Sequence, residues 1–239
     1  MPFSFIKSFA SKSLAKQGRR ITRDPISHYL SSFKIDCVFD VGANKGQFAT
    51  GIRQGGYTGR IESFEPLSDA LSVLRTASAQ DGNWNVNPFA MGNQACSQEI
   101  NISANQHSSS FLDFDDAMDN THIETDYVGT ETVKIETLDN VYEDIRANAE
   151  RVYLKIDTQG FERSVIEGGH KALEHINLVQ MELSLIANYK GESLIEEMIS
   201  IMRSQNFSPW WILDGFRNSK TLQLYQADVF FVRDGFEPC

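Results

Sequence analysis

Cysteine is scarce in this chain: Cys37, Cys96 and Cys239 are the only three among 239 residues. An odd number without metal-ligand spacing argues against a disulfide framework and a structural zinc site, and fits a reduced cytosol. Long apolar runs are also lacking. Nothing approaches the roughly 20 residues that span a bilayer, and the N-terminus has no continuous apolar core of a signal peptide, so a soluble, unprocessed, cytoplasmic protein is expected. Nor is there an excess of basic charge. A net charge of -10 argues against a nucleic-acid-binding surface over most of the molecule, because that work needs clustered Lys and Arg against phosphates. Two glycine motifs are missing as well. Counted from Gly42, the dinucleotide pattern G-x-G-x-x-G finds Asn44 and Gln47 where its later glycines belong, and no G-x-x-x-x-G-K-[ST] occurs, so NAD and ATP lose their best support.

What is present begins with an uneven charge distribution. Residues 1 to 23 hold six of the 22 basic residues, Lys7, Lys12, Lys16, Arg19, Arg20 and Arg23, and none of the 32 acidic ones. Phe5, Ile6, Phe9, Ala10 and Leu14 recur between them at helical spacing, so residues 1–34 read as a basic amphipathic helical segment. That helix packs on the main domain or meets a partner or membrane surface.

From Ile35 to the end the chain reads as one domain of alternating strand and helix. "CVFDV", "RIESFEP", "RVYLKID" and "LVQMELS" are strands, and "GQFATGIRQ", "LSDALSVLRTASA" and "ESLIEEMISIMRSQNF" are helices. "GFERSVIEGGHKALEHI" is a helix interrupted at Gly168 and Gly169, and "PWWILD" with "DVFFVR" forms a closing hairpin at the sheet edge. "NWNVNPFAMG" reads as a third strand. A β-rich insertion at about 94–138 contains "SQEINISA", "SSSFLDF" and "ETVKIETL", and the polar stretch from Asp113 to Asp126 reads as a loop that closes over the site. The βαβα order predicts an α/β fold, a parallel sheet with helices on both faces, and a ligand outside the carboxyl ends of its strands.

The turn after the first strand fits Asp40-x-Gly42-x-Asn44-x-Gly46. Asp40 can accept hydrogen bonds from an ammonium, Gly42 allows close backbone approach, and Gly46 allows close helix packing. Glu65 stands at the end of the second strand, where a carboxylate can accept both hydroxyls of an adenosine ribose. An amino acid joined to a nucleoside points to S-adenosylmethionine. An acceptor hydroxyl must lose its proton, and the candidate catalytic residues are Asp157, Glu162 and Glu182. Asp157 could instead cap the following helix, and Glu162 could be a first-turn acid complementing that helix's dipole. Lys155 is expected to pair with Asp157 or Glu182. His107 and His122 flank the variable loop and could meet substrate, whereas His28, His170 and His175 read as surface or packing residues. A divalent ion on Asp157 and another carboxylate is left open.

"FDVGANKGQFA", "SFEP", "NPFAMGN", "SSSF", "VKIETLDNV", "YLKIDTQGFERSVIEGG" and "VQMELS" occur in an order and spacing that resembles the FkbM family of S-adenosylmethionine-dependent methyltransferases. The resemblance runs from about Ile35 to Arg233. It implies the class I, Rossmann-like methyltransferase fold, with a mostly parallel seven-stranded sheet and an antiparallel edge strand. It also implies O-methylation of a hydroxyl on a sugar, glycan or similar small polar metabolite. By position, Asp40, Gly42, Asn44 and Gly46 should line the methionine end of the cofactor, Glu65 its ribose, and Ala90 and Met91 its adenine. The chain departs from the family at Thr158 and Gln159, the latter standing where an acid is frequent. N-methylation, or a non-catalytic subunit that only binds the cofactor, are the alternatives.

Overall fold

A computed structural model describes residues 25–105, 107–115, 126–218 and 220–239. The first 24 positions of the basic segment, most of the proposed closing loop and His122 lie outside the described residues. The described chain starts with α1 (Pro25–Ser32), which buries Tyr29 and Leu30 against the main sheet.

The chain then runs β1 (Cys37–Val41), α2 (Gln47–Gln54), β2 (Arg60–Phe64), α3 (Ser68–Ser78) and β3 (Trp84–Asn87). After β4 (Ala90–Met91), β5 (Cys96–Ser103) and β6 (Tyr127–Glu136) come α4 (Leu138–Arg146) and β7 (Val152–Ile156). The split helix α5 (Glu162–Glu167) and α6 (His170–Leu173) leads to β8 (Leu178–Ser184), α7 (Ile195–Ser204), β9 (Phe207–Asp214) and β10 (Gln226–Arg233). The seven-stranded main sheet has the order β3-β2-β1-β7-β8-β10-β9. Its first five strands are parallel, and β10 runs antiparallel to β8 and β9. This is the class I methyltransferase arrangement.

Strand periodicity sorts the core into two layers. Cys37, Phe39 and Val41 of β1, with Val152, Leu154 and Ile156 of β7, face the cluster containing α4, α5, α6 and α7. Val38 and Tyr153 face the opposite cluster, which contains α1, α2 and α3. By the same alternation Asp40, Lys155, Gln180, Glu182 and Asp228 belong to the second face, toward the carboxyl ends of the parallel strands.

Two segments differ from the sequence expectation. "NWNVNPFAMG" is not one strand: Pro88 follows β3, which pairs with β2, while β4 joins a separate three-stranded sheet of order β4-β6-β5. Proline has no N–H for a ladder, so the run breaks there. "SSSFLDF" forms isolated bridges instead of a strand, Ser110 to Asn101 and Phe114 to Tyr189. Within the insertion, β5 pairs with β6 in antiparallel register.

Candidate functional site

The chain leaves β1 toward β2 and β3 on one side and returns to β7 and β8 on the other, so the crevice of this sheet opens between the ends of β1 and β7. Gly42 sits at that point with φ 76°. A Cβ there would lie 1.8 Å from the carbonyl oxygen of Asp157, so the glycine serves a close approach between two turns of the protein itself. Gly46 has φ 83°, and a Cβ would come within 2.9 Å of Leu74 and 3.0 Å of Trp84, the helix packing expected for it.

Directly beneath the turn lies a buried ion cluster. Asp40 and Lys155 stand opposite each other in the β1–β7 register, with Nζ 3.2 Å from Oδ1. The same ammonium lies 3.4 Å from Asp157 Oδ2 and donates to the Gly42 carbonyl at 3.3 Å, so it is shared between two carboxylates and a carbonyl. Burial alone would lower the Lys155 pKa, but the Asp157 and Asp40 carboxylates outweigh it and hold the ammonium charged. Lys155 therefore pairs with Asp40 and Asp157, and Glu182 finds other partners. Asp40 is wholly inaccessible, with burial pushing its carboxyl up while Lys155 and the Ser63 hydroxyl, 3.4 Å from Oδ2, pull it back. Its position is under the turn, away from the crevice mouth.

Glu65 follows β2 directly, with its carboxylate turned back to the first turn. Oε2 accepts the Asn44 N–H at 2.8 Å and Oε1 the Leu67 N–H at 2.8 Å. Each oxygen keeps a second lone pair for another donor. Burial pushes the carboxyl up to about 7 in spite of both backbone donors. Asn44, at φ 48°, holds the left-handed backbone that aims its N–H at this carboxylate. Ala90 and Met91 are buried in β4, Met91 within the core itself.

Across the crevice, the ends of β7 and β8 bring Asp157 and Glu182 together through a residue absent from the candidate set. Gln159 Nε2 donates to Asp157 Oδ1 at 2.8 Å and to Glu182 Oε2 at 3.0 Å. Asp157 is the open member, with its side chain 35% exposed. It does not cap α5. The turn before that helix is organised by Glu162, whose Oε1 accepts the N–H groups of Thr158 at 2.8 Å and Gly160 at 3.3 Å and the Thr158 hydroxyl at 3.1 Å. Burial pushes Glu162 up to about 7. Glu182 also accepts from Gln226 at 3.2 Å, and burial, followed by the Asp157, Asp228 and Glu162 charges, raises its carboxyl well above the ordinary range. Asp228, opposite Glu182 in the β8–β10 register, accepts from Gln180 at 2.8 Å, and the Tyr153 hydroxyl donates to Gln180 in turn.

A strap crosses these strand ends. The Ser110 hydroxyl donates to the Gln159 carbonyl at 2.6 Å, the Tyr189 hydroxyl donates to Gln159 Oε1 at 2.8 Å, and Phe114 stacks between Tyr127 and Tyr189. His107 is exposed beside the strap, and its N–H is taken by Asn105. Among the described residues no group of three or more His, Cys, Asp and Glu side chains is arranged to hold a metal ion, and none of the helices is long and apolar enough to cross a membrane. A shallow cleft of about 520 Å³ at the amino ends of β2 and β3 is lined by Arg53, Tyr57, Asp81 and Asn83. The Arg53 guanidinium is already committed to Asp81 and to the carbonyls of Tyr57, Gly59 and Asn83, so it is not available to a ligand there.

Comparison with known proteins gives a match to the methyltransferase FkbM domain over residues 40–209, well over half of the chain and inclusive of every candidate residue above. No curated protein matches the chain. Among solved structures, fibrillarin from Aeropyrum pernix with natively bound S-adenosyl-L-methionine is similar at TM-score 0.48 and 9% identity, over 82% of this chain and 66% of that one. An rRNA methylase from Streptococcus thermophilus is similar at TM-score 0.47 and 10% identity, over 89% and 98% of the two chains. Precorrin-6y C5,15-methyltransferase from Geobacter metallireducens GS-15 is similar at TM-score 0.44 and 9% identity, over 89% and 90%.

Proposed function

The chain belongs to the FkbM methyltransferase domain family, and from that premise we propose that this S-adenosylmethionine-dependent methyltransferase methylates a hydroxyl on a sugar, glycan or similar small polar metabolite. The observation that carries the reading is the partly exposed Asp157 carboxylate at the switch point of the sheet, backed by Lys155 and linked through Gln159 to Glu182.

The residues of the crevice fit the cofactor. Glu65 has lone pairs left for two ribose hydroxyls, and the turn from Gly42 to Gly46 offers backbone to the amino acid end. Asp40 acts from below by fixing Lys155 and the turn. Gly42 and Asn44 shape that turn, Gly46 seats α2, and Ala90 with Met91 supports the adenine side. When bound, S-adenosylmethionine supplies an electrophilic methyl group, so the protein's task is alignment and proton removal.

Asp157 accepts the proton of the acceptor hydroxyl as its oxygen attacks, and the carboxyl group left protonated is the general-base product. The neighbouring Lys155 ammonium lies 3.4 Å from Oδ2 and helps to hold this carboxyl group in place. Glu182 and Asp228, whose carboxyls burial raises above their ordinary values, line the same face and can exchange hydrogen bonds with further hydroxyls of a polyol. Glu162 holds the turn that carries Asp157. The concentration of carboxyl groups here, with a net charge of -10 overall, is unfavourable to a phosphate-rich acceptor such as RNA.

The test is to incubate the protein with methyl-labelled S-adenosylmethionine and separated small-molecule, glycan, protein and RNA fractions of an extract from its own source. Label recovered as a methyl ether in the small-molecule or glycan fraction supports the reading. Label in RNA, or on nitrogen, overturns it.

A further inference from the structure

We propose that Gln159 is a positioning residue of the methyl-transfer site, its single amide linking Asp157 to Glu182 and fixing both relative to the end of β1. The inference rests on the reading that these two carboxyl groups face the acceptor. Its starting point is a count of donors. A primary amide has two N–H groups and one carbonyl oxygen. The Tyr189 hydroxyl takes the oxygen at 2.8 Å, leaving one N–H for Asp157 at 2.8 Å and one for Glu182 at 3.0 Å. Turned over, the amide would set its oxygen against two carboxyl groups.

The backbone supports the same conclusion. Gln159 has φ 56°, a left-handed conformation that side chains rarely adopt unless their surroundings enforce it. Enforcement comes from the Ser110 hydroxyl on its carbonyl at 2.6 Å and from Gly160, where a Cβ would meet the Tyr189 ring at 2.9 Å. Tyr189 is itself buried. With Lys155 on one oxygen of Asp157 and Gln159 on the other, the open carboxylate of the site is held from both sides. Without the amide, the hydrogen bonds that tie Asp157 to Glu182 through Gln159 would be gone.

The test needs no acceptor. With side-chain carboxyl carbons of Asp and Glu labelled, NMR follows the Glu182 titration in the parent, in Gln159→Met and in Tyr189→Phe. The groups facing Glu182 are Asp157 just after β7, Asp228 and Gln226 from β10, and Glu162 from α5; none of these is altered. Removing a donor that favours the ionised carboxylate should move the Glu182 midpoint to higher pH in Gln159→Met, and to a smaller extent in Tyr189→Phe. Affinity for S-adenosylhomocysteine should stay within about threefold, as expected for a residue away from the cofactor turn. An unmoved midpoint overturns the proposal. Should Gln159→Met fail to fold, Tyr189→Phe and the parent remain: the Gln159 side-chain amide resonances of the parent must shift as Glu182 titrates, and silence there overturns it equally. Normal turnover by Asp157→Asn, in contrast, would remove the base reading and leave the linkage intact.

Discussion

Lowering the pH from about 8 to about 5.5 should weaken binding of S-adenosylhomocysteine, and Glu65 should account for the loss. Burial holds the free protein's Glu65 carboxyl up at about 7, while two ribose hydroxyls donating to it favour the anion. Hydrogen bonds to a charged group contribute about 1.5–3 kcal/mol, so the bound state should titrate roughly one to two units lower. Affinity is then flat above about pH 7, falls by up to about tenfold per unit below it, and levels off roughly 10- to 150-fold weaker. Isothermal calorimetry at several pH values reads this directly, and the ligand has no group of its own titrating in that window. In Glu65→Gln the dependence should vanish. That variant also turns an NH2 group toward the N–H of Asn44 or Leu67, at a cost of about 1–3 kcal/mol in stability, so its melting must be recorded beside its affinity. For the free protein the sign is opposite: the contribution of Glu65 to stability is complete below its ordinary value of 4.5 and is lost as pH rises through about 7. An affinity that is flat across the range, or a dependence that persists in Glu65→Gln, would refute the placement of the ribose at Glu65.

Asp157→Asn keeps size and removes basicity, so kcat should drop by roughly 10²–10⁴ while S-adenosylhomocysteine affinity changes less than about tenfold; equal loss of both would make Asp157 a cofactor ligand. Lys155→Met leaves the inaccessible Asp40 without its counter-ion and should cost about 3–5 kcal/mol in urea unfolding, most of it recovered by adding Asp40→Asn; a cost below about 1 kcal/mol would mean that Asp40 is already neutral. Gly42→Ala combines a positive φ with a Cβ 1.8 Å from the Asp157 carbonyl, so it should destabilise by at least about 2 kcal/mol; an unchanged melting temperature would show that the two turns can part freely.

The order of strands was legible in the sequence where local pattern and partner coincide. Short five-residue runs closed by glycine or an acid read as buried parallel strands, and β1, β2 and β7 follow. Pattern says nothing about which sheet a strand joins, so the two halves of "NWNVNPFAMG" looked continuous although Pro88 separates them. The Lys155 partner was a matter of register: two residues far apart in sequence, Asp40 and Lys155, become direct neighbours only once β1 and β7 are aligned. Gln159 was visible merely as a departure from the family pattern. Its importance depends on a left-handed backbone and on Tyr189, and neither is written in its immediate neighbours. Glu162 looked equally suited to chemistry and to the helix, and its three hydrogen bonds to the Thr158–Gly160 turn give it a structural task.

The strap over the strand ends also bears on how the protein comes apart. Its stitches join Ser110 to Gln159 and Gln159 to Tyr189, separations of 49 and 30 residues, whereas β1, α2 and β2 are consecutive neighbours. Closing such loops costs chain entropy that only a few hydrogen bonds and one aromatic stack return, while the central strands are supported by a continuous apolar core. The carboxyl cluster should therefore be the last part to assemble and the first to dissolve. In mild denaturant, the amides of Ser110 and Gly160 should exchange with solvent while those of β1 and β7 remain protected, leaving a species with an intact sheet and a dispersed carboxyl cluster.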